Sequence, residues 1–252
     1  MQRILIAGAS SGIAQAIARR FVATAERPAE LRFLLAGRDE ARLTAVADDL
    51  RARGAGEATA FVIDFADLGR QQALLDEARA RLGMVDLILV AWGSLPDQAA
   101  VEREPDLAAA AWHENATATV AFLGRAATLL EAQKSGRLAA ITSVAGDRGR
   151  RANYLYGAAK AAVIATLQGL RARLHPLGIP VTDLRPGPVD TPMTAGMKKG
   201  ALVCSAARAG HLAHAAIVRG RDIVYIPGYW RLIMTLLKLV PEFIFKRLNL
   251  AA

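Results

Sequence analysis

The 252 residues carry 32 Lys and Arg against 23 Asp and Glu, giving a net charge of +9 and a pI near 10.3. That length suits one α/β domain with a substantial core, and the single cysteine, Cys204, excludes an internal disulfide and fits a reducing compartment. No apolar run approaches the ~18 residues that cross a bilayer, and no aromatic-basic interleaving of the kind used on nucleic acid appears, so the charge points to anionic lipid or a phosphorylated small molecule.

Met1-Gln-Arg runs straight into Ile4-Leu-Ile-Ala7, which reads as a strand over Arg3–Ala7 rather than the apolar region of a signal peptide. The expected location is the cytoplasm or the inner face of the cell membrane. Gly8-Ala-Ser-Ser-Gly12-Ile-Ala14 follows, then helical periodicity over 13–24. A strand, a glycine turn and a helix N-terminus form an anion site, because backbone N–H groups and the helix dipole face a phosphate. Gly8 permits the turn, Gly12 lets a pyrophosphate approach, and Ser10, Ser11 and Ile13 complete the turn.

A second strand over 31–36 ends in Gly37-Arg38-Asp39, where a dinucleotide fold meets the adenosine ribose. Gly37 stands where an acid would bond a 2′-hydroxyl, and Arg38 follows it, which favours NADP(H) over NAD(H). The alternative is a solvated Arg38 at a helix start with Asp39 as N-cap. The glycine turn offers no second basic residue. A helix over 39–53 leads to a third strand over 58–63 and then Asp64-Phe65; Asp64 either bonds the adenine amine or turns the chain. A helix over 71–82 precedes a fourth strand over 86–91, which runs into Trp92-Gly93.

The near-continuous apolar strands alternating with helices predict a Rossmann-type, doubly wound parallel sheet of about seven strands, covered on both faces. Ligands of such sheets lie at the carboxyl ends of the strands. Gly8–Gly12, Arg38, Asp64, Phe65, Ala91, Gly93 and Ser143 all fall there.

Residues 107–133 read as one long Ala-rich helix carrying Asn115, whose place in a helix interior invites a reason. It is an N-cap after a break, a solvated side chain, or a polar group facing the site. A strand ending at Ser143 comes next, and the loop Asp147-Arg-Gly-Arg-Arg151 puts three arginines before a helix over 154–174. That loop is either solvated or a phosphate-binding mouth in which Arg150 and Arg151 meet substrate.

Tyr156 and Lys160 lie one helical turn apart on one face. Together with Ser143 they suit proton transfer to a carbonyl oxygen. A phenol titrates near 10; a neighbouring ammonium is expected to lower that, making Tyr156 a tuned acid, while the Ser143 hydroxyl bonds the same oxygen. A sixth strand over 180–184 leads into Arg185-Pro-Gly-Pro-Val-Asp-Thr191, residues 192–205 read as a mobile lid, and 222–227 form a seventh strand. His211 and His214 lack acidic or thiol neighbours, so no metal is expected.

The domain is expected over 1–228. The tail, 229–252, is apolar, aromatic and basic, with Pro241 dividing any helix. It lies on a membrane surface, or it covers a contact in a homo-oligomer, or it docks on its own domain.

Taken in order, Gly8-xxx-Gly12-x-Ala14, Asp64, Asn115, Ser143, Tyr156-xxx-Lys160 and Pro186-Gly-Pro-Val-Asp-Thr191 resemble the short-chain dehydrogenase/reductase family over nearly the whole chain. The resemblance implies an oxidoreductase with NAD(P)(H) and a Ser–Tyr–Lys mechanism. In it Tyr156 is the acid/base, Ser143 orients the carbonyl, and Lys160 holds the nicotinamide ribose. Asn115 would anchor a water leading to Lys160, and Pro186, Val189 and Thr191 would meet the nicotinamide. The family's usual Asn-Ala-Gly is Ala91-Trp92-Gly93 here. More narrowly, residues 150–154, 193–199 and the last strand with its basic tail resemble the mycobacterial decaprenylphosphoryl-2-keto-pentose reductases. That implies a polyprenyl-phosphate-linked 2-keto sugar as substrate. The alternatives are a 3-oxoacyl or small soluble ketone, or a non-catalytic dinucleotide sensor.

Overall fold

Ile4 and Ile6 of strand β1 (Arg3–Ala7) enter one buried cluster, and Leu5 and Ala7 enter another on the opposite side. The period-2 alternation of a strand puts successive side chains on opposite faces, so a strand apolar at every position demands cover on both. The computed structural model, which describes residues 2–196 and 200–248, supplies it. After β1 come α1 (Gly12–Thr24), β2 (Arg32–Gly37), α2 (Glu40–Ala52), β3 (Glu57–Val62), α3 (Gln71–Leu82) and β4 (Leu87–Val90). The second half runs α4 (Gln98–Arg103), α5 (Pro105–Trp112), α6 (Ala118–Gln133), β5 (Leu138–Ile141), α7 (Tyr154–Leu174) and β6 (Val181–Pro186). It closes with β7 (Val189–Asp190), β8 (Cys204–Ser205), α8 (Ala206–Val218), β9 (Ile223–Ile226), α9 (Tyr229–Leu239) and α10 (Glu242–Phe245).

Seven parallel strands form one sheet in the order β3-β2-β1-β4-β5-β6-β9. Helices α1, α2 and α8 cover the face of Ile4 and Ile6, and α3, α6 and α7 cover the other. The fold is the expected Rossmann-type sheet. The chain reverses direction across the sheet between β1 and β4, and it is beside that switch, at the carboxyl ends, that such sheets open a crevice.

Three local readings change. The helix expected over 107–133 is not continuous: α5 and α6 are joined by a five-residue π-turn, His113–Thr117, with Asn115 inside it and 1% exposed. A π-turn inserts one residue into the helical ladder and re-aims side chains. Here Asn115 Nδ2 donates to Ala111 O at 3.0 Å and to Ser94 Oγ at 3.3 Å, while its Oδ1 accepts from Ser94 N at 3.1 Å. The second change is α4, a short helix capped by Asp97. The third is the two-residue ladder of β7 with β8, which brings Cys204 beside Val189. Met197, Lys198 and Lys199, part of the expected lid, lie outside the described residues, as do 249–252 of the tail.

The described tail divides at Val240-Pro241, as its proline requires. Trp230 and Met234 of α9 pack on Val144. Arg148 donates to the carbonyls of Leu237 and Val240 at the end of α9, pairs with Glu242 at 3.0 Å, and lies 3.7 Å over the Phe245 ring. One of the three loop arginines is therefore a helix cap. The outer side of the tail carries Leu232, Leu236, Leu239 and Phe243, all more than half exposed. Among the described residues, no helix is long and apolar enough to cross a membrane.

Candidate active site

At the carboxyl ends of β1 to β6 lies a cavity of about 290 Å³. Gly8, Ser10, Ser11, Gly12 and Ile13 enter from the first turn, Arg38 from β2, Asp64 and Phe65 from β3, and Ala91 and Gly93 from β4. Ser143, Arg150, Tyr156, Lys160, Pro186, Val189 and Thr191 line the other half. The fold brings these predicted residues to one wall because each ends a parallel strand or begins the helix after it. Two do not line it. Asn115 sits behind the wall in the π-turn, and Arg151 is exposed on the loop turn while its neighbour Arg150 takes the inward position.

The glycine turn fits a dinucleotide phosphate. Gly8 has φ 94°, and a Cβ there would come within 2.4 Å of Trp92 N. The turn thus stays bare of side chains at the start of α1, whose first-turn N–H groups are aimed at an anion. Ser11 is the N-cap, its side chain accepting from Ala14 N. Asp64 Oδ1 accepts from Ala66 N at 3.0 Å and so turns the chain, while the side chain still lines the cavity.

Arg38 reaches Glu114 of the π-turn at 3.3 Å. Asp39 caps α2 by accepting from Arg42 N. Arg42, which also lines the cavity and pairs with Asp39 at 3.1 Å, is a second basic residue on this wall that the motif reading missed. Its place one helical turn after Arg38 was the available signal. Trp92, in place of the family's small residue, stacks flat on Phe65 with ring centroids 4.1 Å apart. It extends the apolar core to the cavity wall, which it also lines, and its Nε1 donates to Glu114 O at 3.4 Å.

Lys160 Nζ donates to Ile141 O at 3.5 Å and lies 5.6 Å from the centre of the Tyr156 ring. Gly93, at φ 149°, passes close: a Cβ there would lie 2.8 Å from Asn115 Oδ1 and 3.3 Å from Lys160 Nζ. The amine and the amide of the π-turn are thus near neighbours across a bare backbone. Burial pushes the Lys160 ammonium down to about 8, with the Glu114 and Asp183 carboxylates pulling it back up.

The phenol departs from expectation. Burial pushes Tyr156 up to about 12, opposed only by its hydrogen bond with Ser143. Desolvation of the phenolate outweighs what stabilises it, so the expected lowering does not prevail in the protein without substrate. Arg150 carries a further signature: burial lowers its pKa with no compensating carboxylate, and its Nε is buried without a hydrogen-bond partner.

Residues 2–201 match the family described as short chain dehydrogenase. An oxidoreductase of Mycobacterium tuberculosis, strain CDC 1551, is 34% identical over 245 residues, covering 97% of this chain and 96% of that protein. A short chain dehydrogenase of Burkholderia cenocepacia solved with NADP superposes with a TM-score of 0.80 at 21% identity, covering both chains in full. One from Burkholderia phymatum solved with NAD gives a TM-score of 0.83 at 20% identity, covering 100% of this chain and 97% of that one.

The depressed amine has a thermodynamic signature. The Lys160 pKa falls from 10.5 in the unfolded chain to about 8 in the fold, so between those values the unfolded chain holds a proton that the folded chain has released. Stability therefore rises with pH across that window, by up to about 3 kcal/mol for one proton, and is flat below it. Denaturant unfolding of wild type and Lys160→Met at pH 7, 8, 9 and 10 reads this directly. The gap between them should close in favour of wild type above pH 8; a constant gap would refute the desolvated amine.

Proposed function

The chain belongs to the short-chain dehydrogenase family, and from that premise we propose that it reduces a ketone to an alcohol with NADPH, using Tyr156 as the acid. The observation that carries this reading is the convergence of Ser143, Tyr156 and Lys160 on the wall that also holds the glycine turn. A sensor would need the turn but not the acid.

In this reading Gly8 to Ile13 would hold the pyrophosphate, Asp64 and Phe65 the adenine, and Arg38 with Arg42 the ribose 2′-phosphate. Ala91, Gly93, Pro186, Val189 and Thr191 would border the nicotinamide, with Lys160 and Tyr156 at its ribose. Bound there, the cofactor supplies the hydride that reaches the carbonyl carbon. Tyr156 donates its phenolic proton to the carbonyl oxygen, and Ser143 donates a hydrogen bond to that same oxygen. A phenol held well above neutrality stays protonated until that oxygen turns basic. Lys160 remains mostly charged at pH 7 and stabilises the phenolate as it forms. Asn115, across Gly93 from the amine, would hold the water that restores the proton.

The tail supports a finer reading. Leu232, Leu236, Leu239 and Phe243 form an exposed apolar stripe, with Arg231, Lys238, Lys246 and Arg247 exposed around it. Such a face suits an interface of acyl chains and anionic headgroups, in keeping with a ketone carried on a polyprenyl phosphate. A homo-oligomer contact is the competing use of the same stripe.

Tyr156→Phe should lower kcat for ketone reduction by about 10²–10⁴-fold while NADPH affinity, read by fluorescence titration, stays within about threefold. Surviving turnover would remove the acid. Arg38→Ala and Arg42→Ala should each weaken NADPH by roughly tenfold, on the order of one charge-assisted hydrogen bond, and leave NADH nearly as it was; equal losses would take away the 2′-phosphate assignment. The paired change Leu236→Gln with Phe243→Gln should end co-sedimentation with phosphatidylglycerol vesicles. Unaltered vesicle binding, or dissociation into smaller species in sedimentation velocity, would give the stripe to something other than lipid.

A further inference from the structure

The cavity wall holds one cation that no described residue answers. Arg38 is paired with Glu114 and Arg42 with Asp39. Beyond the wall, Arg148 is spent on the end of α9 and Arg185 on Asp183 and Asp147. Arg150 lines the same cavity as Tyr156, yet its side chain makes no hydrogen bond or ion pair among the described residues, and its Nε is sealed from solvent. A guanidinium stays charged under all ordinary conditions. With its Nε sealed from water and unpartnered, the half-buried side chain leaves part of that charge unanswered until an anion arrives.

Asn153 stands next to it in the same state. It occupies the N-cap position of α7, but its side chain makes no capping bond. Instead it is 8% exposed, lines the cavity, and leaves Oδ1 buried without a partner. A cap residue that forgoes its cap, one helical turn before the phenol, is placed for something that enters the cavity. Both groups belong to the segment that joins Ser143 to Tyr156, so whatever they bind is fixed relative to the reacting carbonyl. The phosphates of a dinucleotide have their own cradle at Gly8 to Gly12, on β1, two strands away from β5 in the sheet.

We propose that Arg150, assisted by Asn153, is the anion subsite of the substrate, so that this enzyme selects ketones bearing a carboxylate or phosphate over their neutral counterparts. This rests on the ketone-reductase reading. The guanidinium offers paired N–H donors that match either anion. The unpartnered Asn153 Oδ1 is an acceptor, placed to take a hydrogen bond from a substrate hydroxyl beside the anion. A neutral ketone bound here would displace water from the half-buried guanidinium without answering its charge, and that penalty is the source of discrimination.

The test compares matched pairs with NADPH: acetoacetate against methyl acetoacetate, and dihydroxyacetone phosphate against dihydroxyacetone. Wild type should prefer the anionic member of at least one pair by tenfold or more in kcat/KM, through KM, and the pair that shows it names the anion. Arg150→Met should cut that preference at least tenfold, and Arg150→Lys, which keeps the charge but not the fork, should restore part of it. NADPH affinity should shift less than threefold in both variants, with melting curves confirming that each is folded. No preference in wild type, an equal loss for charged and neutral ketones, or a collapse of NADPH affinity would each overturn the subsite. Should wild type turn over none of the four, binding of orthophosphate and acetoacetate followed by tryptophan fluorescence decides. Saturable binding lost in Arg150→Met and kept in Arg150→Lys upholds the subsite while ketone reduction fails; binding indifferent to Arg150 overturns it.

Discussion

A buried charge cluster holds the catalytic half of this molecule together. Arg185, at the end of β6, donates to Asp183 Oδ2 at 2.7 Å and to Asp147 Oδ1 at 2.7 Å. Tyr225 of β9 donates to Asp147 Oδ2 at 2.6 Å, and Thr142 donates to Asp183 Oδ1 at 2.5 Å. One guanidinium thus ties β5, β6, β9 and the turn after Ser143. Removing the guanidinium would leave two carboxylates buried without their counter-charge, the kind of break that is strongly destabilising. Burial works against the Arg185 charge, but the surrounding Asp183, Asp147 and Tyr225 more than offset it and hold its pKa above the ordinary value. Ser143 leads into a turn that cannot drift, because Asp147 at its far end is pinned.

The same cluster reaches the site through its field. Asp183 is near enough to Lys160 to favour the ammonium, as Glu114 does from the π-turn. Without these two carboxylates, burial would take the amine further toward its neutral form. Glu114 is stretched between duties: it pairs with Arg38, accepts from Ser94 Oγ at 2.5 Å, and acts on Lys160. It therefore links the Arg38 end of the cavity to the Lys160 end by charge. A phosphate drawn to Arg38 and Arg42 would compete with Glu114 for the guanidinium, so filling one end alters the field at the other.

What could be read from the chain was what depends on local order. Periodicity located β1, α3 and α7 because their faces are set by neighbours three, four or two residues away, and a parallel sheet then forces strand ends to one edge. That logic brought Ser143, Tyr156 and the glycine turn together without coordinates. Asn115 resisted it: a π-turn arises from a bond between that amide and Ser94, 21 residues away, which no helical pattern encodes. The arginines of the 147–151 loop resisted it too. Their charges look alike in sequence, and only the packing of a helix 80 to 90 residues later makes Arg148 a cap, while Arg150 lines the cavity and Arg151 lies in solvent. Tyr156 shows a further limit, since its spacing from Lys160 was legible while the dielectric around it was not.

The tail and the catalytic turn are one mechanical unit. Trp230 lies against Gly187 and Val144, and Arg148 grips the end of α9 from within the turn that follows Ser143. The inner half of the tail is therefore core, and the outer half is free to bind. A helix held in this way cannot swing out to reach a surface without loosening the Ser143 turn. Whatever the apolar stripe meets must come to it as it stands. This argues for a rigid landing face rather than a detachable anchor.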